Sequence, residues 1–324
     1  MASTNGVKDG GIGRRLRWVA GQLLPPIVAE PLRRARHRRL GAAVAGSASL
    51  VSETRSVAEV ALTPPEWEYL PGGWPPDGVL AGWDVESVAS TELARWPAFV
   101  RSGQGTNPLD LSPEAAGPTD VPTAGSYATH NTAMSFAYVL ALTSRKRERL
   151  SVLDWGGGLG QYAVWARALL PEVDLDYHCR DLPRLTAAGR RVLPDAMFHD
   201  DDASVLGRTY DLVLASSSLQ YARDWRGTLA GLARAAAGYL FVTRMPFVRL
   251  APSFVVVQRP HVHGYRTEYP GWFLNRDEFL AEARSLGLEL RREFLVDERP
   301  LVEGAPEQAD YRGFLFGVPA LVQA

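Results

Sequence analysis

The chain has 324 residues, enough for one large domain or two smaller ones with an ample core. Charge is nearly even, with 35 Lys and Arg against 36 Asp and Glu, which argues against a nucleic-acid binder that relies on a general basic field. The single cysteine, Cys179, excludes an internal disulfide and a multi-cysteine zinc site and fits a reducing, cytoplasmic setting.

The charge is concentrated at one end. Nine Lys or Arg lie between Lys8 and Arg39 against only Asp9 and Glu30. Within this arm, Trp18 to Ala29 is apolar and follows Arg14-Arg15, as in some export signals. Gln22 and Pro25-Pro26 interrupt that stretch, and it is too short to span a bilayer. Residues 1–40 therefore read as a partly ordered basic arm with a helix from Pro31 to Leu40. Weak contact with an anionic membrane surface is the second reading. Residues 41–126 are rich in turn formers. In Thr63–Trp83 the prolines 64, 65, 71, 75 and 76 forbid long helices and central strands, while Trp67, Trp74 and Trp83 need something to pack against. A helix is predicted over Ser87–Val100, then a Gly-, Pro- and Ser-rich loop over Ser102–Ala124.

From Tyr127 the pattern changes. Met134–Leu142 is apolar at helical spacing and ends in the charged run Arg145–Arg149. Alternating elements follow: strand Ser151–Trp155, helix Gln161–Leu170, strand Asp174–Cys179, helix Pro183–Leu193 and strand Ala196–His199. Strand Tyr210–Ala215, helix Trp225–Ala236 and strand Gly238–Thr243 continue the series. Strands spaced by helices imply a parallel sheet with right-handed crossovers. Asn275 is expected to cap a helix that runs through Ser285 and ends at Gly287. Leu288–Leu295 and Tyr311–Val318 then read as a closing pair of strands.

The most informative stretch is Ser151–Tyr162. An aliphatic strand ends in Asp154 and Trp155, and Gly156, Gly157, Gly158 and Gly160 open into a helix. Such a loop delivers backbone N–H groups to a nucleotide-type ligand. A dinucleotide fingerprint begun at Gly156 needs glycine where Gln161 stands, and one begun at Gly158 ends on Ala163. A plain glycine turn is the bland alternative. Asp181, with Leu182 beside it, lies about twenty residues beyond the loop, where an acid accepts from ribose hydroxyls. A solvated helix cap before Pro183 is the competing reading. His199-Asp200-Asp201-Asp202 ends the third strand; Asp201 is the candidate contact to an adenine amino group, with a solvated turn of three acids as the equal alternative. Ser216 and Ser217 end the fourth strand beside the reacting centre.

The spacing D-x-G-x-G-x-G resembles motif I of the class I S-adenosylmethionine (SAM)-dependent methyltransferases, and the closing antiparallel pair is how that fold finishes. More narrowly, the chain is similar to a family of bacterial proteins assigned as methyltransferases, some encoded among surface-polysaccharide genes. Val152–Gly160, Ser216–Tyr221, Arg244–Phe247, Val257–Pro260 and Tyr269–Asn275 carry that likeness. It implies an α/β fold with a doubly wound, seven-stranded, mostly parallel sheet. Residues 1–120 would form a helical and irregular region, and 121–324 the SAM-dependent methyltransferase domain. It also implies SAM as cofactor and S-adenosylhomocysteine (SAH) as product. Residues Tyr127 and His130 would close the cofactor site.

Acceptor chemistry is sought between Arg259 and Trp272. His261 or His263 is the candidate general base for a hydroxyl or amine, with Tyr221, Arg244 and Tyr265 positioning the acceptor. A metal at His261, His263 and Glu268 lacks a further ligand, so none is expected. The expected function is methyl transfer to a small molecule of natural-product or sugar type, in the cytoplasm, with homo-oligomerisation left open. A non-catalytic SAM-fold subunit that binds a partner and an NAD-linked oxidoreductase are the alternatives.

Overall fold

The computed structural model describes residues 64–103 and 124–319, so the basic arm, its helix and most of the loop predicted at Ser102–Ala124 lie outside the described residues. Composition predicts irregular backbone in the Pro/Trp-rich run, yet the first strand, β1 (Trp67–Leu70), lies there. Its prolines bracket it rather than interrupt it, and it sits at a sheet edge, where the loss of neighbouring donors matters least. Helices α1 (Glu86–Ser102) and α2 (Ala124–Thr143) follow. The alternating series then appears as predicted: β2 (Arg149–Trp155), α3 (Gln161–Leu169), β3 (Asp174–Arg180), α4 (Pro183–Val192) and β4 (Met197–His199). After a single turn, α5 (Ala203–Leu206), come β5 (Tyr210–Ser216), α6 (Trp225–Ala235) and β6 (Ala236–Val248). The chain ends with β7 (Phe254–Gln258), β8 (Tyr269–Asn275), α7 (Arg276–Ser285), β9 (Glu289–Leu295) and β10 (Asp310–Gly317).

Seven of the strands form the doubly wound sheet in the order β4-β3-β2-β5-β6-β10-β9, parallel except where β10 runs against both neighbours. Both faces are covered, as a parallel sheet requires. On β5, Leu212 and Leu214 join the core beneath α1 to α4, whereas Val213 and Ala215 join the core beneath α6 and α7. This alternation is the two-residue period of a strand buried on both sides.

The other three strands form a wing. The far end of β6 pairs with β8 through Phe247–Leu274 and Val248–Asn275; β7 runs antiparallel to β8, and β1 antiparallel to β7. Trp67, Phe254, Val256 and Phe273 give the wing its own small core. The segment expected as an insertion from Arg259 to Trp272 is thus a one-turn 3-10 helix (His261–His263) leading into β8. Residues from Thr63 onward form one unit, so the line expected near residue 120 does not coincide with a break between α1 and the sheet. Asn275 caps α7 as predicted, its Oδ1 accepting from Asp277 N at 2.9 Å and Glu278 N at 3.1 Å. Among the described residues no helix is long and apolar enough to cross a membrane.

Candidate active site

β2 lies between β3 and β5, where the winding of the chain reverses and ligands gather at strand carboxyl ends. A cavity of about 970 Å³ opens there, and the wall includes Trp155, Gly156, Gly157 and Gly158. The loop is pressed flat onto its neighbours. A Cβ on Gly156 would lie 2.3 Å from Ser218 Cβ, and one on Gly157 would lie 2.4 Å from Asp154 Oδ2. Only glycine permits that approach. Gly160, at φ 88, instead starts α3 and packs against Leu193, away from the cavity wall.

Asp154 is expected to face the cofactor, but it lies beneath the loop and off the cavity wall. The Tyr177 hydroxyl donates to it, and burial pushes its carboxyl up to about 7 against that hydrogen bond. Asp181 does stand on the wall, with Leu182 next to it. Its Oδ2 accepts from Gly158 N and its Oδ1 from Leu182 N, each at 2.7 Å. Burial raises the Asp181 carboxyl, and those two N–H groups oppose the rise. Of the acids after β4, Asp202 rather than Asp201 lines the cavity. Asp201 is turned away because its Oδ1 accepts from Ser204 N at the start of α5. Asp202 accepts from Trp155 Nε1 at 2.8 Å and pairs with Arg180 at 2.7 Å.

Ser216 and Ser217 are on the wall; Ser216 Oγ meets the Tyr162 hydroxyl at 2.8 Å, and burial pushes that phenol up to about 12. Neither Tyr127 nor His130 lines the cavity, and Tyr127 is exposed. The face α2 turns inward carries Ala128 and Thr129, since neighbouring helix positions point in different directions.

The wall also includes Tyr221, Arg244, His263 and Tyr265. Arg244 has φ 53, left-handed backbone within β6, next to the irregularity in its pairing with β10. His263 Nε2 is 3.5 Å from Glu66 Oε1. The sequence groups His261 with His263 on one strand face, but the 3-10 turn separates them. His261 is exposed and belongs to a shallow depression on the outside. No group of three or more His, Cys, Asp or Glu among the described residues is placed to hold a metal ion.

Several wall residues carry no motif and escape sequence reading. Trp83 stacks on Tyr269 with ring centroids 4.1 Å apart and meets Tyr221 edge-on at 5.2 Å. Glu66, Glu92, Gln161 and Gln258 supply polar groups. Gln161 and Glu92 fall in predicted helices and Gln258 in a run that carries the family likeness, but nothing in the local pattern shows that their side chains meet at the cavity.

A doubly wound sheet, a glycine loop at its switch point and an acid at the end of the next strand suit a nucleotide-type ligand, and the antiparallel β10 between β6 and β9 is the closing pair expected of the class I methyltransferases. The profile described as a methyltransferase domain matches residues 127–292, and the chain belongs to that family as a SAM-dependent methyltransferase. This decides against the nicotinamide reading. No curated protein matches. Among solved structures, a proposed sarcosine dimethylglycine methyltransferase from Galdieria sulphuraria is similar at 14% identity, covering 60% of this chain and 88% of its own, with a TM-score of 0.43. An amino pentose methyltransferase from Micromonospora echinaspora shows 19% identity over 58% and 91% of the two chains, with a TM-score of 0.39. A 1,6-didemethyltoxoflavin-N1-methyltransferase from Burkholderia thailandensis shows 14% identity over 75% and 93%, with a TM-score of 0.40.

Proposed function

We propose that the chain methylates a small hydroxyl- or amine-bearing acceptor of natural-product or sugar type within this cavity, with His263 as general base. The polarity of two phenols carries the reading. Gln258 Nε2 donates to Glu66 at 3.2 Å, so Gln258 Oε1 must accept from the Tyr221 hydroxyl at 2.9 Å. The Tyr265 hydroxyl likewise donates to Glu92. With both protons committed to networks that end on carboxylates, the phenol oxygens present lone pairs to the cavity, which suit a group that donates a hydrogen bond. Hydroxyls and amines do so.

SAM, when bound, supplies a methyl group made electrophilic by its sulfonium. Residues that suit it are the loop Trp155–Gly158, Asp181 with Leu182, and Ser216 with Ser217; the flattened loop and the buried acid fit a ligand that presses close to the backbone. Asp202 takes the place first expected of Asp201. His263 removes the proton from the acceptor, its Nε2 lying 3.5 Å from Glu66 Oε1. The tyrosines and the Trp83 stack exclude water and hold the acceptor in line.

A panel of amino sugars, hydroxy sugars and small polyols, assayed by SAH release, tests this. On an accepted substrate, His263→Ala should lower kcat by roughly 100-fold, while His261→Ala stays close to wild type. Equal effects of the two substitutions would remove the base assignment. Transfer only to thiols or carbon nucleophiles would remove the acceptor reading.

A further inference from the structure

Glu92, on α1, precedes the stretch that matches the family profile, and it is only 8% exposed. Its two oxygens bond wall residues from two different elements. Oε1 accepts from the Tyr265 hydroxyl, in the segment that leads into β8. Oε2 accepts from Gln161 Nε2 at 3.0 Å. Gln161 Oε1 in turn accepts from Leu159 N at 3.1 Å, inside the loop, which fixes the amide with its nitrogen toward the carboxylate. One residue back, the Gly158 N–H is held by Asp181. Tyr265, Glu92, Gln161 and Asp181 all line the same cavity.

A carboxylate suits this junction because it only accepts, so both the phenol and the amide must donate to it. Hydrogen bonds to a charged acceptor are the strong ones, and this one is shielded from water. We infer that Glu92 is a positioning residue that sets the glycine loop and the Tyr265 wall as one unit, so that occupancy of the two sides of the cavity is coupled. The inference rests on the reading that Tyr265 faces the acceptor. Coupling of binding free energies is reciprocal, so an acceptor at Tyr265 and the cofactor at the loop would change each other's affinity by one factor, and a substitution that breaks the shared bond to Glu92 is expected to register in cofactor affinity.

That reciprocity gives a test that needs no acceptor. Calorimetry on the full chain with SAH as the probe should show Glu92→Ala weakening binding about tenfold, the loss of one charged hydrogen bond. Tyr265→Phe should weaken it severalfold, and the double variant should be no weaker than Glu92→Ala alone. Glu92→Gln should restore most of the affinity, since its carbonyl accepts from Gln161 while its amide donates to the Tyr265 oxygen. A folded Glu92→Ala with wild-type affinity overturns the inference, and so do strictly additive losses. If Glu92→Ala does not fold, Tyr265→Phe decides: unchanged SAH affinity overturns the coupling. Failure to find a hydroxyl or amine acceptor would count against the acceptor reading while leaving these affinities as they are.

Discussion

A carboxyl group sealed beneath a backbone loop loses the hydration that ordinarily keeps it ionised. Asp154 is such a group, and its folded value of about 7 lies above the ordinary 3.8. The folded chain therefore keeps a proton that the unfolded chain has released. The resulting contribution to stability is complete below about pH 4 and is lost as pH rises through about 7, with a ceiling of about 4 kcal/mol. Asp154→Asn stays neutral throughout, so its Tm relative to wild type should climb between pH 5 and 8. A difference that stays flat over that range would show that Asp154 is ionised in the fold. Residues of this kind mark the limit of pattern reading. Spacing finds Asp154 but not that it faces Tyr177 rather than the cavity. Spacing also cannot choose between Asp201 and Asp202, because the choice depends on which of them Ser204 N binds.

At the scale of elements, boundaries marked by local chemistry were legible and those set by distant partners were not. Asn275 is of the first kind, yet it does more than cap. Its Nδ2 donates to Ala251 O at 2.8 Å and Arg249 O at 3.3 Å, tying the start of α7 to the turn after β6. Asn275→Asp keeps the cap and loses these donors, while Asn275→Ala loses both. Urea unfolding should place Ala about 2 kcal/mol below wild type and Asp between the two. An Asp variant as stable as wild type would show that the amide donors add nothing. β1, β7 and β8 are of the second kind. β8 contains Pro270 and Gly271, β7 is a short apolar run of ambiguous type, and β1 sits among prolines. Each is a strand because the other two are present.

Over the whole molecule, the doubly wound, mostly parallel sheet was readable because alternating elements with short crossovers leave few topologies open. The roof of the cavity was less so. Trp83 and Glu92 belong to it through partners far along the chain, Tyr269 and Tyr265. A cofactor that binds only the folded state should stabilise all of it together. At 100 times its Kd, SAH should add about 2.7 kcal/mol, seen as a rise in Tm. Asp181→Ala should abolish that rise at the same concentration; a full rise in the variant would show that Asp181 is not part of the cofactor site.

β6 is thirteen residues long and changes partners along its length, from β10 to β8. Two residue pairs, at Phe247 and Val248, are all the backbone ladder that β6 and β8 share between the sheet that carries the glycine loop and the wing. A ladder this short leaves side-chain packing, such as the Tyr221–Gln258 hydrogen bond and the Tyr221–Tyr269 ring contact, to hold the wing against the sheet.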